Sequence, residues 1–279
     1  MPFSGFDLMN RISQVKKDFA QLTTTGSSRI FSVFAPKGGV GKTTIAFNLA
    51  VALGQAEQRT VLIDGSLQFG DLRALLKVPV DAPSILDLPT DRVSESDLAD
   101  VLWRDPSGID ILLAPPRVEM AEMVTARDVD KILSLLRRVY HSIVIDMSSA
   151  LNDINLAFLD LSDTIVEIVT YDSTTIHNTM AVADAFRMIG YSASKVRYLV
   201  NRADFSGGIE PIDLERALGR VPEHRVVSDG ILVVQANNEG VPFVLANPAA
   251  PISVDIRRVA DELLAASANG RVPVAAGRR

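Results

Sequence analysis

The chain has 279 residues, 47% of them hydrophobic and 22% charged, with a formal net charge of −6. That is enough apolar material for one large α/β core, and the acidic balance gives no overall steering toward nucleic acid. There is no cysteine, which excludes disulfides, cysteine-held iron–sulfur clusters and thiolate metal sites.

Residues 1–28 place Phe6, Met9, Ile12, Val15, Phe19 and Leu22 at helical spacing, with Arg11, Lys16 and Lys17 between them. This pattern predicts an amphipathic helix, followed by a Thr23-Thr24-Thr25-Gly26-Ser27-Ser28 linker. Its apolar face is expected to pack on its own domain or on a second copy, with docking at a membrane surface or on a partner as the alternative. No apolar run reaches the length of a membrane span, and residues 1–28 lack the apolar core of a signal peptide. The expected location is therefore the cytoplasm, with peripheral contact at the inner face of the membrane if the helix is interfacial.

Ile30-Phe31-Ser32-Val33-Phe34 is an apolar run suited to a buried parallel strand. The glycine-rich turn Lys37-Gly38-Gly39-Val40-Gly41-Lys42-Thr43-Thr44 follows at once. Without β-carbons at Gly38, Gly39 and Gly41, successive backbone N–H groups can converge on a phosphate. Lys42 adds a point charge, and Thr43 offers a hydroxyl to a magnesium ion bridging the outer phosphates. Residues 45–53 continue as a helix expected to end near Gly54, its N-terminal dipole facing the anion.

Arg59-Thr60-Val61-Leu62-Ile63-Asp64 and Ser142-Ile143-Val144-Ile145-Asp146 read as further buried strands, each ending on a carboxylate. Strand ends are where doubly wound sheets place their chemistry. With Thr43, Asp64 and Asp146 form the candidate metal-side set, Asp146 accepting from Thr43 or from water on magnesium. Between them, short helical and strand segments are expected near 96–102 and 109–114, and Thr125-Ala126-Arg127-Asp128 reads as a capping box opening a helix through Tyr140. A strand over 163–170, a helix capped by Ser173 and running to Gly190, and a strand over 195–200 ending at Asn201-Arg202 follow. Residues 252–266 read as a closing amphipathic helix, with a disordered tail over 269–279. His141, His177 and His224 show no ligand spacing. The alternation of apolar strands with helices predicts a mostly parallel, doubly wound sheet with helices on both faces, occupying residues 29–268 as one domain.

Pro36 stands where the standard phosphate loop has its first glycine. Lys37-Gly38-Gly39-Val40-Gly41-Lys42-Thr43-Thr44 instead resembles the deviant Walker A loop, K-G-G-x-G-K-[ST], of the ParA/MinD superfamily of P-loop ATPases. Asp64-Gly65-Ser66-Leu67-Gln68-Phe69-Gly70-Asp71 resembles the D-x-D-x-Q-F-G-D segment of its CpaE/TadZ pilus-assembly branch. The similarity runs from about Ile30 to Ala266, without the receiver-like domain that precedes the ATPase in that branch. The resemblance implies ATP and Mg2+ as ligands and a homodimer with ATP sandwiched between subunits. Lys37 and Lys42 would be the catalytic lysines, with Lys37 reaching the partner subunit's phosphates. It further implies that Lys37 to Thr44 hold the phosphates, while Asn201 and Arg202 contact the adenine. The implied partner is a protein of a pilus or secretion machine; DNA partitioning and membrane-bound division control are the alternatives, with DNA the less favoured partner.

Two positions depart from the family pattern. Ser66 replaces the second aspartate, which lies near the attacking water, and a hydroxyl cannot act as a carboxylate base. Met147-Ser148-Ser149-Ala150-Leu151-Asn152-Asp153 lacks the threonine and prolines usual at the second switch. Nucleotide binding with slow or absent hydrolysis is the expectation, and Asp71 carries over as a family position with no spacing argument for replacing the missing acid.

Overall fold

The computed structural model describes residues 28–56, 59–88 and 95–269. The helix expected in 1–28 lies outside the described residues apart from Ser28, and so does the expected tail beyond Asn269.

Eight strands form one sheet in the order β3-β4-β2-β5-β1-β6-β7-β8. They are β1 Arg29–Phe34, β2 Thr60–Gly65, β3 Trp103–Arg104, β4 Asp110–Leu112, β5 Ser142–Met147, β6 Thr164–Val169, β7 Val196–Asn201 and β8 His224–Val226. All neighbours pair parallel except β3, which runs antiparallel to β4 at one edge. The strands are near-continuous apolar runs because both faces are covered. Side chains alternate across the sheet: Ile30 and Phe34 of β1 enter one core, Phe31 and Val33 the other.

On the first face lie α4 (Ala126–Val139), α5 (Asp153–Leu161), α6 (Ser173–Met188) and α7 (Pro211–Leu218). On the second lie α1 (Lys42–Ala56), α8 (Gly230–Glu239), α9 (Phe243–Ala246) and α10 (Pro251–Asn269). Two short helices, α2 (Leu72–Leu75) and α3 (Glu95–Val101), complete the α-helices among the described residues. The predicted layering is therefore the observed one.

Local readings fare unevenly. The capping box at Thr125 is present, with the Thr125 side chain accepting from Asp128 N and the Asp128 carboxylate accepting from Thr125 N. The helix after the glycine loop ends at Ala56, near Gly54 as expected. Gly54 is a packing position: a Cβ there would meet Ile109 Cγ2 at 2.8 Å. Helix α6 is capped by Asp172 rather than Ser173, because the Asp172 carboxylate reaches Thr175 N at 2.9 Å. The closing helix starts at Pro251 and extends to Asn269, past the boundary expected from apolar spacing.

Candidate functional site

β1 lies between β5 and β6, so the chain leaving its C-terminal end opens over the crevice where strand order turns back. The glycine loop occupies that place and passes directly into α1 at Lys42. Gly41 adopts φ 94°, and a Cβ on it would meet Asn201 Nδ2 at 2.6 Å. A side chain there is thus excluded by both conformation and space. By contrast, nothing lies within 4 Å of a Cβ built on Gly38 or Gly39, so the loop's outer face is open.

Register brings the two strand-end carboxylates together: Asp64 of β2 is the direct partner of Asp146 of β5. Both are buried. Burial holds the Asp146 carboxyl up at about 7, opposed by the Thr43 hydroxyl and the Lys42 charge. Asp64 is raised well above the usual carboxylate range, first by burial and then by Asp146, although Ser66 N donates to its Oδ1 at 3.3 Å. Neither Asp146 oxygen has a well-formed hydrogen bond, and Asp64 Oδ2 has none. Lys42 is held below its ordinary pKa by burial, with Asp146 and Asp71 pulling the other way. Its ammonium donates to Ser149 Oγ at 2.7 Å and to the Lys37 carbonyl at 3.4 Å.

This donor set suits a hard cation. The oxygens of Asp146, Asp64 and Thr43 are the ligand type magnesium takes, and magnesium is commonly held by one or two carboxylates with phosphates and water completing its shell. Among the described residues no group of three or more His, Cys, Asp or Glu forms a protein cage for a metal.

The remaining predicted residues are all at the loop. Val40 is buried, and its carbonyl accepts from Asn201 Nδ2 at 2.8 Å. Asn201 Oδ1 accepts from Arg202 N at 2.9 Å, so the amide expected to read adenine braces the loop through Nδ2 and its own strand end through Oδ1. Arg202, at a left-handed φ of 56°, donates to the Gly39 carbonyl at 3.4 Å. Thr44 Oγ1 accepts from Asn237 Nδ2 of α8 at 3.3 Å. Lys37 turns away from the loop to Asp172 and Thr174. Asp229 caps α8 by accepting from Leu232 N at 3.0 Å.

Ser66 turns its hydroxyl back to the Phe69 carbonyl at 3.3 Å. The second-switch segment, lacking prolines, is tied down by Asn155, whose amide donates to Ser148 Oγ and to the Ala150 carbonyl at 2.6 Å. A cleft of about 360 Å³ opens between these two segments, lined by Ser66, Phe69, Ser148 and Asn155 among others. Asn155 and Asp172 are contributors that sequence reasoning missed, and Ser149 was read only as part of the second-switch segment, without its contact to Lys42. Only Asp172, immediately before a predicted helix start, carried a local signal.

The AAA domain family profile matches residues 28–189. An ATP-binding protein of Methanocaldococcus jannaschii, uncharacterised beyond that description, is 21% identical over 84% of this chain and 87% of its own length. A ParA family ATPase from Chlorobium tepidum superposes with TM-score 0.79 at 22% identity, over 85% of this chain and 99% of that one. The septum site-determining protein MinD of Pyrococcus horikoshii, complexed with Mg-ADP, superposes with TM-score 0.74 at 21% identity, over 88% of this chain and 100% of that one. The two solved structures thus share this chain's fold. The family model covers more than half of the chain's length, and the chain belongs to the AAA domain family.

Proposed function

We propose that the chain binds ATP with magnesium at this crevice and that two ATP-bound copies pair face to face to act as a spatial regulator. The observation that carries this reading is the convergence of Lys42, Thr43 and two buried carboxylates with unpaired oxygens beneath an open glycine loop. Lys42 would leave Ser149 for the outer phosphates, and the loop N–H groups would hold the rest of the chain of phosphates. Magnesium, held by Thr43 and Asp146 with Asp64 beside them, would supply charge neutralisation between the outer phosphates. Lys37 would reach the partner subunit's phosphates, and Asn201 and Arg202 would keep the loop in shape from the adenine side.

Ser66 offers no carboxylate to orient water, so the dimer is a slow-resetting clamp that serves as a scaffold. In this reading residues 29–268 are the ATPase domain. The Gln68-Phe69-Gly70-Asp71 match favours a pilus or secretion machine as the structure served. A division or partitioning regulator is the second reading, favoured by the likeness to MinD and ParA structures.

Titration with a fluorescent ATP analogue, alongside turnover, tests the proposal. The native chain is expected to bind with magnesium and turn over slowly, Lys42→Ala to lose binding, and Ser66→Asp to gain at least about tenfold in turnover, a modest share of what a positioned base supplies. Native turnover equal to that of Ser66→Asp would contradict the slow clamp, and unchanged binding in Lys42→Ala would contradict the site.

A further inference from the structure

The side chain of Lys37 is already occupied within its own chain. Its ammonium donates to Asp172 Oδ1 and to Thr174 Oγ1, each at 2.8 Å. An ammonium has three donors, so most of its capacity is taken up by the cap and first turn of α6. Asp172 is itself a well-anchored acceptor. It receives the Thr170 hydroxyl, the Thr174 hydroxyl at 2.6 Å, the Thr175 hydroxyl at 2.6 Å and Thr175 N at 2.9 Å. Burial works to raise its carboxyl, but the hydrogen bonds from Lys37, Thr170, Thr174 and Thr175 outweigh it and hold the group ionised far below the usual range. The ion pair remains accessible, with the Lys37 side chain 36% and the Asp172 side chain 40% exposed.

A lysine held this way cannot also extend to a second subunit. We propose that Asp172 and Thr174 form a latch that keeps Lys37 in its own subunit, and that pairing of two ATP-bound copies must break one latch in each. The inference rests on the reading above, that Lys37 serves the partner subunit's phosphates. Because the pair is partly exposed, it is a modest restraint that phosphate oxygens can displace. The two loop lysines are also joined: Lys42 leans on the Lys37 carbonyl at 3.4 Å. Drawing Lys42 onto a phosphate therefore removes a restraint from the backbone that carries the latch.

The test is Asp172→Asn, which keeps a good helix cap for α6 while removing the charge that holds Lys37. Two measurements are made on the full chain. One is the dissociation constant of the dimer in ATP and magnesium, by sedimentation. The other is acetylation of Lys37 in the nucleotide-free chain, by mass spectrometry, with exposed Lys77 as internal standard. A partly exposed ion pair contributes a few-fold to an equilibrium, and two latches open per dimer. The dimer dissociation constant of Asp172→Asn should therefore fall roughly tenfold, and Lys37 should label faster relative to Lys77. Unchanged labelling and an unchanged constant, with the native chain still dimerising in ATP, would overturn the latch and leave the proposed function standing. A weaker dimer in Asp172→Asn would overturn it too, by making Asp172 a support for the paired state. If neither chain dimerises in ATP, the proposed function fails and the latch fails with it.

Discussion

Glu167 lies in the middle of β6, fully buried, beside its register partner Tyr198 on β7. Neither of its oxygens has a well-formed hydrogen bond. Burial pushes its carboxyl from 4.5 up to about 8, against the pull of Thr179 and Arg220. The folded chain therefore keeps a proton that the unfolded chain loses, and stability falls as pH rises through that window. Glu167→Gln removes the penalty. Its melting temperature should exceed that of the native chain at pH 9 by at least about 4 °C, with the gap shrinking toward pH 5. An equal gap at both pH values would mean that Glu167 is not the titrating group. Other side chains were legible from the sequence to the extent that a strand end fixed them. Lys42, Thr43, Asp64 and Asp146 each close a strand or open the helix after the loop, so residue type and position sufficed. Ser149 and Asp172 lie on loops after β5 and β6 that meet the glycine loop only once the sheet has formed. Asn201 lies beside the glycine loop, and the partner of its amide could not be assigned without knowing that the fold brings the Val40 carbonyl against it.

Helix α1 is buried along Ile45 to Leu53 between the sheet and the second-face helices. Gly54 fits this crowding, since a methyl group there would press on buried Ile109. An ordinary glycine inside a helix gains about 1 kcal/mol of stability on replacement by alanine. Overpacking a close contact costs about 1–3 kcal/mol. Gly54→Ala should therefore destabilise the chain, by about 1 kcal/mol net, in urea unfolding. A gain in stability would show that the contact yields and that the glycine was only a propensity defect. The helix ends two residues beyond it at Ala56, since Gly54 does not take the left-handed conformation of a glycine cap. Long elements were otherwise readable through their apolar runs and through the Thr125 capping box. Strands β3 and β8 and the four-residue helices α2 and α9 are too short to show a period.

At the scale of the whole molecule, the layered sheet was legible because strands covered on both faces must be continuously apolar. The order of strands was not, since it depends on which crossovers pack rather than on any one segment. That order puts β1 between β5 and β6 and so gathers the glycine loop, the two carboxylates and the latch at the carboxyl ends of the central strands. Among the described residues no helix is long and apolar enough to cross a membrane. The claim that ties these parts together is that the site at these strand ends is completed by a second copy when ATP is bound. Sedimentation velocity of the native chain without nucleotide, with ADP and with ATP, in magnesium throughout, tests it most directly. The expected result is a single species of 30.2 kDa without nucleotide and with ADP, and a species of twice that mass with ATP. The same mass under all three conditions would contradict the account.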